Sequence, residues 1–169
     1  MYAVGKIPGG FNKREGKASE HAILTSRVID RPMRPLFPKD YRNDVTLNNM
    51  VMSVDPSCRP ELVAMLGAAI ATCISDIPFD GPCAMTQVGM IDGEFVINPS
   101  QEQWKSGDLN LTVASTREKV IMIEAGANEI PEAKMIEAIY MAHEVNQKII
   151  NFSYNRINEG DDLLVHFMS

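Results

Sequence analysis

The sequence predicts an α+β fold, with helices packed on a mixed or antiparallel sheet. Two observations carry this. Apolar segments of strand length come in neighbouring pairs joined by short turns, as antiparallel hairpins require. Before and after them lie segments whose apolar residues recur at helical spacing. A doubly wound parallel sheet would instead need a long crossover after each strand.

The elements follow in order. "KIPGGFNKREGK" holds Pro8, Gly9, Gly10 and Gly16 and reads as a loop. Ser19 starts a helix, because its hydroxyl can accept from free N–H groups of the first turn, and Glu20 suits the positive end of the helix dipole. Ile23, Leu24, Val28 and Ile29 follow at helical spacing, and Pro32 and Pro35 end or kink the helix. "DVTLNNMVMSVD", residues 44–55, reads as a buried strand. Pro60 suits the first position of a helix, and "ELVAMLGAAIATCI" continues it so apolar that it is expected in the core. "CAMTQVGMIDGEFVINP" predicts two strands joined at Asp92-Gly93, and "DLNLTVAST" with "KVIMIEAG" predicts a second hairpin. Pro131 opens a long amphipathic helix with Met135, Ile136, Ile139, Ala142, Ile149 and Ile150 on one stripe. The tail "SYNRINEGDDLLVHFMS" shows little periodicity until Leu163.

Composition narrows the class. The 169 residues are 45% hydrophobic and 22% charged, which suits one globular domain with a sizeable core. No apolar run reaches the ~20 residues of a membrane-spanning helix, and Met1–Gly10 lacks the layout of a signal peptide. Cys58, Cys73 and Cys83 are an odd number without CxxC spacing, which argues against a disulfide framework or a zinc site and for a reducing cytoplasm. Asp76, Asp80 and Asp92 sit among turn formers, and His21, His143 and His166 lie far apart, so no catalytic or metal-binding set is expected from them. The eleven methionines are expected to fill core gaps.

Charge is unevenly spread. Residues 1–42 carry nine Lys or Arg against four Asp or Glu, whereas the remainder carries seven against 18. Such an asymmetry suits either a solvated basic face or a site for an anionic partner. Phe11 beside Lys13 and Arg14 offers a stacking surface and cations within four residues, next to Gly9-Gly10. On the residues alone, a lone aromatic among charges in a loop is more often a lid on the core. Further on, "SRVIDRPMRPL" sets Asp30 among Arg27, Arg31 and Arg34. Arg27 is expected to pair with Asp30. Arg31 and Arg34 exceed what that single acid can neutralise and are candidates for phosphate.

The run "GGFNKREGKASEHAILTSRVIDRPMRPLFP" resembles the first RNase PH-like core domain of the bacterial polynucleotide phosphorylase family, whose pattern is an FFRR-like loop, "REGR-SE", a helix and "RLIDRPIRPLFP". "PELVAMLGAAIATCISDIPFDGPCAMTQVGMIDGEFVINPS" and "DLNLTVAST" match as well, so the resemblance spans Tyr2 to Phe152. It implies a partial first core domain over 1–152, with an RNase PH-like (ribosomal protein S5 domain 2-like) sheet lacking its first strands, and a divergent tail over 153–169. It implies membership of a phosphorolytic 3′-to-5′ exoribonuclease, a polyribonucleotide nucleotidyltransferase acting in mRNA degradation. In that family the full enzyme is a homotrimer that uses Mg²⁺ and inorganic phosphate. Phe11, Asn12, Lys13 and Arg14 would then occupy the loop that grips single-stranded RNA, and Arg31 and Arg34 would be further RNA-binding residues. Asn12 stands where the family has a second aromatic, and Lys13 where it has an arginine, so stacking should be weaker while charge is kept. The family's catalytic acids, lysine and phosphate-binding serines belong to a second core domain, so no catalytic residue, no metal and no bound cofactor are expected in this chain, and the piece alone should be inactive. Two other readings remain: a stand-alone RNA-binding or subunit-interaction module of the same fold, and a self-sufficient RNase PH-type enzyme. The lack of an Asp-x(5)-Asp-x-Lys constellation speaks against the last.

Overall fold

In a computed structural model, residues 19–55 and 58–168 are described, with side chains described as far as Ile157. The loop predicted over Lys6–Lys17 lies outside the described residues. Helix α1 spans Glu20–Met33, and the Ala22 N–H donates to Ser19 Oγ at 3.2 Å, the cap expected from the sequence. Pro32 lies in its last turn, and a 3₁₀ turn over Arg34–Leu36 follows. Helix α2 spans Pro60–Cys73 with Pro60 at its first position.

Strands β1 (Ala84–Ile91) and β2 (Glu94–Ile97) form the first hairpin. Its turn needs positive φ at both central residues, which Asp92 (51°) and Gly93 (83°) supply. Helix α3 (Gln101–Ser106) follows a capping box: the Gln103 N–H donates to Ser100 Oγ, and the Ser100 N–H donates to Gln103 Oε1. Strands β3 (Leu109–Ser115) and β4 (Val120–Ala127) form the second hairpin, and helix α4 runs from Glu132 to Met168. The sheet order is β2-β1-β3-β4, antiparallel throughout.

Strand alternation divides the sheet into two faces. Leu109, Leu111 and Val113 of β3 join Val88 and Met90 of β1 in a core closed by Ala138 and Ala142 of α4. On the other face Met85, Ala114 and Met122, register partners across β1, β3 and β4, pack with Ile29, Met33, Leu36 and Met65. Central strand β3 is therefore covered on both sides. Asn146 of α4, fully buried, ties the layers together. Its Nδ2 donates to Val113 O (3.0 Å) and Ser115 Oγ (2.8 Å), and Thr86 Oγ1 donates to its Oδ1 (2.7 Å).

Four expectations need correction. Residues 44–55 form no strand; Met50, Val51, Met52 and Val54 are exposed. A strand exists by hydrogen-bonding to a neighbour, and no described strand lies beside this segment. Helix α2 is buried on one face only, through Met65, Ala68, Ala69 and Thr72, while Val63 is 72% exposed. In α1, Ile29 is buried and Val28 half-buried, but Ile23 and Leu24 face solvent. The tail beyond Phe152 continues α4 without a break to Met168, although its polar residues interrupt the apolar stripe.

Two predictions follow from this packing. Asn146→Ala leaves Thr86, Ser115 and the Val113 carbonyl short of partners in the interior, so it should cost about 3 kcal/mol, read as a lower urea midpoint with an unchanged slope. Burial pushes the Cys73 thiol up to about 11 and the Cys83 thiol up to about 12. At pH 8 only about one in 10³ and one in 10⁴ of these would be thiolate, the reactive form. A disulfide reagent should therefore label exposed Cys58 first and reach the other two only on unfolding; rapid labelling of all three in the native protein would contradict this burial.

Candidate nucleic-acid interface

Phe11, Asn12, Lys13 and Arg14 lie outside the described residues. The two other candidates, Arg31 and Arg34, sit at the C-terminal end of α1 and the start of the 3₁₀ turn. Ile29 and Met33, four residues apart, turn toward the sheet, and this orients the helix. Arg31 and Arg34 consequently emerge on the solvent side and line one open groove of about 600 Å³ with Pro35, Ile121, Met122 and Ile123 of edge strand β4. The groove joins two cations to an apolar floor, the combination that holds a phosphate backbone and its sugars or bases.

Each cation has an acidic neighbour. Arg34 donates to Asp30 Oδ2 from Nη2 (2.6 Å) and Nε (3.1 Å). Arg31 Nη1 lies 3.4 Å from Glu124 Oε2 on β4. All four side chains are more than half exposed, so each pair contributes about 0–1 kcal/mol and can be exchanged for a stronger partner. Arg27, expected to pair with Asp30, has no ion pair among the described residues; Arg34 takes its place at i+4. Arg27 and Arg34 instead line a second groove of about 560 Å³ with Tyr41.

Sequence reasoning missed two members of this surface. Glu124 is 93 residues from Arg31, and only strand register brings it there. Tyr41 stacks on Phe37 with ring centroids 6.4 Å apart, and Phe37 packs against Phe79. Its nearness to "RPMRPLF" in sequence was the available signal. Among the described residues no group of three or more His, Cys, Asp or Glu side chains could hold a metal ion, and no described helix is long and apolar enough to cross a membrane.

Residues 1–78 match the family model described as "3′ exoribonuclease family, domain 1", and residues 81–145 match "3′ exoribonuclease family, domain 2". The chain belongs to the 3′ exoribonuclease family. Its fold is that of RNase PH. Rice (Oryza sativa) Rrp46 has a similar structure, with TM-score 0.67 over 85% of this chain and 68% of that one, at 12% identity. Among relatives of this family, the polyribonucleotide nucleotidyltransferase of Lachnoclostridium phytofermentans is 78% identical over 152 residues. Those of Alkaliphilus oremlandii and Clostridioides difficile are 59% and 56% identical over the same length. Each match takes in 90% of this chain but 22% of the relative, so the chain spans about a fifth of these enzymes.

The exchangeable pairs make a stability prediction. Arg31→Ala and Arg34→Ala should each change unfolding free energy by less than about 1 kcal/mol. A loss of several kcal/mol in urea unfolding would mean that these arginines are structural.

Proposed function

We propose that this chain is the RNA-gripping part of a phosphorolytic 3′-to-5′ exoribonuclease, a polyribonucleotide nucleotidyltransferase acting in mRNA degradation in the cytoplasm. In this reading residues 1–152 form one RNase PH-like core unit, which assembles as a homotrimer in the full enzyme, and residues 153–169 are a divergent tail. The observation that carries it is the pair Arg31 and Arg34, exposed on one groove with an apolar floor in a member of this family. Phe11, Asn12, Lys13 and Arg14 are assigned the rest of the grip.

The chemistry required of this piece is positional. Cations hold successive phosphates of a single strand, and an aromatic face holds a base, so the strand is presented in a fixed register. Exchangeable arginines suit a strand that must advance after each cleavage, because a phosphate leaving Arg34 is replaced by the Asp30 carboxylate. Attack by inorganic phosphate on the 3′-terminal linkage is assigned to the rest of the full-length enzyme. Mg²⁺ would support that step, but the described residues offer no cluster fitted to it, and it enters no step here.

Titrating fluorescent single-stranded RNA at several salt concentrations tests this. Lys13→Ala, Arg14→Ala, Arg31→Ala and Arg34→Ala should each weaken binding for every sequence and make the log–log salt slope shallower by about 0.7. Phe11→Ala should cost ~1–3 kcal/mol and leave the slope unchanged, and Asn12→Phe should tighten binding. If Phe11→Ala binds as wild type while unfolding more easily, Phe11 is a core lid. If none of the four cation variants alters the slope, the grip lies elsewhere.

A further inference from the structure

The sheet face toward α1 and α2 changes character along the strands. Its first row, Met85–Ala114–Met122, is apolar. The next, by register, is Gln87–Thr112–Glu124, and the one after is Gly89–Asn110–Gly126. These polar rows floor a pocket of about 400 Å³, within the size range of small-ligand sites. His21 of α1 and Arg59 and Glu61 at the start of α2 line it, and Trp104 of α3 closes one side. Above Asn110 the floor is open, since a Cβ placed on Gly126 would meet nothing within 4 Å.

Several polar atoms of this pocket are not satisfied among the described residues. Arg59 Nη1, Glu61 Oε2, Gln87 Oε1 and Asn110 Oδ1 are buried without a hydrogen-bond partner among the described residues. The Glu61 side chain is only 9% exposed and Gln87 4%. Leaving such groups unpaired costs about 1–3 kcal/mol each, so four in one cavity point to something that fills it. The cavity's chemistry selects what. Glu61 Oε2, Gln87 Oε1 and Asn110 Oδ1 ask for donors and Arg59 Nη1 for an acceptor, since Gln87 Nε2 already donates to Thr112 Oγ1 (3.4 Å). Arg59 and Glu61, 3.7 Å apart, offset each other's charge, which disfavours both a bare phosphate and a bare metal ion inside. The Arg59 guanidinium lies 4.4 Å from the Trp104 ring centroid, a flat wall of a planar site. Glu124 lines this pocket and also contacts Arg31, so the pocket opens beside the phosphate candidate.

We infer that this pocket takes a nucleobase of a bound nucleotide, one whose edge carries adjacent N–H donors and a carbonyl acceptor as guanine's does, with its phosphate outside at Arg31. Glu61 accepts from the amino group, Arg59 donates to the carbonyl, and Gln87 and Asn110 complete the edge, the pairing logic by which proteins read bases in single strands. The phosphate half rests on the RNA reading above; the base half rests on the pocket alone.

The test uses the full 169-residue chain and Trp104, its single tryptophan, as reporter. Guanosine 5′-monophosphate should change Trp104 emission and bind at least tenfold tighter than ribose 5-phosphate by calorimetry. Glu61→Gln should reduce that preference below threefold, whereas Arg31→Ala should weaken both ligands and leave their ratio intact. Equal affinity for the two ligands with unchanged Trp104 emission in the wild type, which needs no variant to fold, would overturn the inference and indicate a water-filled cavity. Guanosine alone binding with the emission change, indifferent to Arg31→Ala, would uphold the base pocket and count against the phosphate site. RNA binding sensitive to Arg31→Ala without any nucleotide preference would do the reverse.

Discussion

Three hydrogen bonds to one buried amide hold the layers of this protein in place. Asn146 reaches β1 through Thr86 and β3 through Val113 and Ser115. A polar group at zero exposure is tolerated because every bond it forms is directional and lies in a low-dielectric interior. It also forbids slippage: moving α4 by one turn along the sheet would strand the amide and its partners among apolar side chains. With α4 fixed on one face, β1 and β3 have only their other face to offer α1 and α2.

That second face explains where the basic residues emerge. The apolar row Met85–Ala114–Met122 receives Ile29 and Met33, one helical turn apart. Their burial sets the rotation of α1, and the 3₁₀ turn brings in Leu36 to finish the contact. Arg31 and Arg34 then have no direction left but outward, beside edge strand β4. The groove is a by-product of core packing. Its cations are held by an apolar anchor that a bound strand does not disturb.

The sequence made the hairpins legible because their signals are local. Alternation marks β1 to β4, and Asp92-Gly93 meets the positive-φ demand of a tight turn without help from the rest of the chain. Ser19 and Pro60 mark helix starts for the same reason. Helix α3 went unpredicted, although Ser100 and Gln103 stand at capping-box spacing, because six residues carry little periodicity. What was not legible depended on neighbours. Residues 44–55 have strand composition, yet composition cannot supply a pairing partner. The recognised basic segment identified Arg31 and Arg34 as candidates, but Glu124, and the convergence of Arg59, Glu61, Gln87 and Asn110, arise from register and helix packing that no linear spacing encodes.

On the proposed RNA-binding reading, the acidic remainder of the chain would give the basic end its selectivity. A polyanion meeting a surface of net negative charge is repelled everywhere except where cations are concentrated, and clefts with apolar walls sharpen that contrast. The grooves at Arg31 and Arg34 meet both conditions, with their own acids, Asp30 and Glu124, held close enough to cancel the charge when no strand is present. A bound phosphate competes with a carboxylate at an exposed site, where either contact is weak. A grip of the proposed kind would therefore be distributed over several such contacts rather than concentrated in one. A strand held in that way would be retained over many residues and still released one phosphate at a time, because each contact is weak and exchangeable.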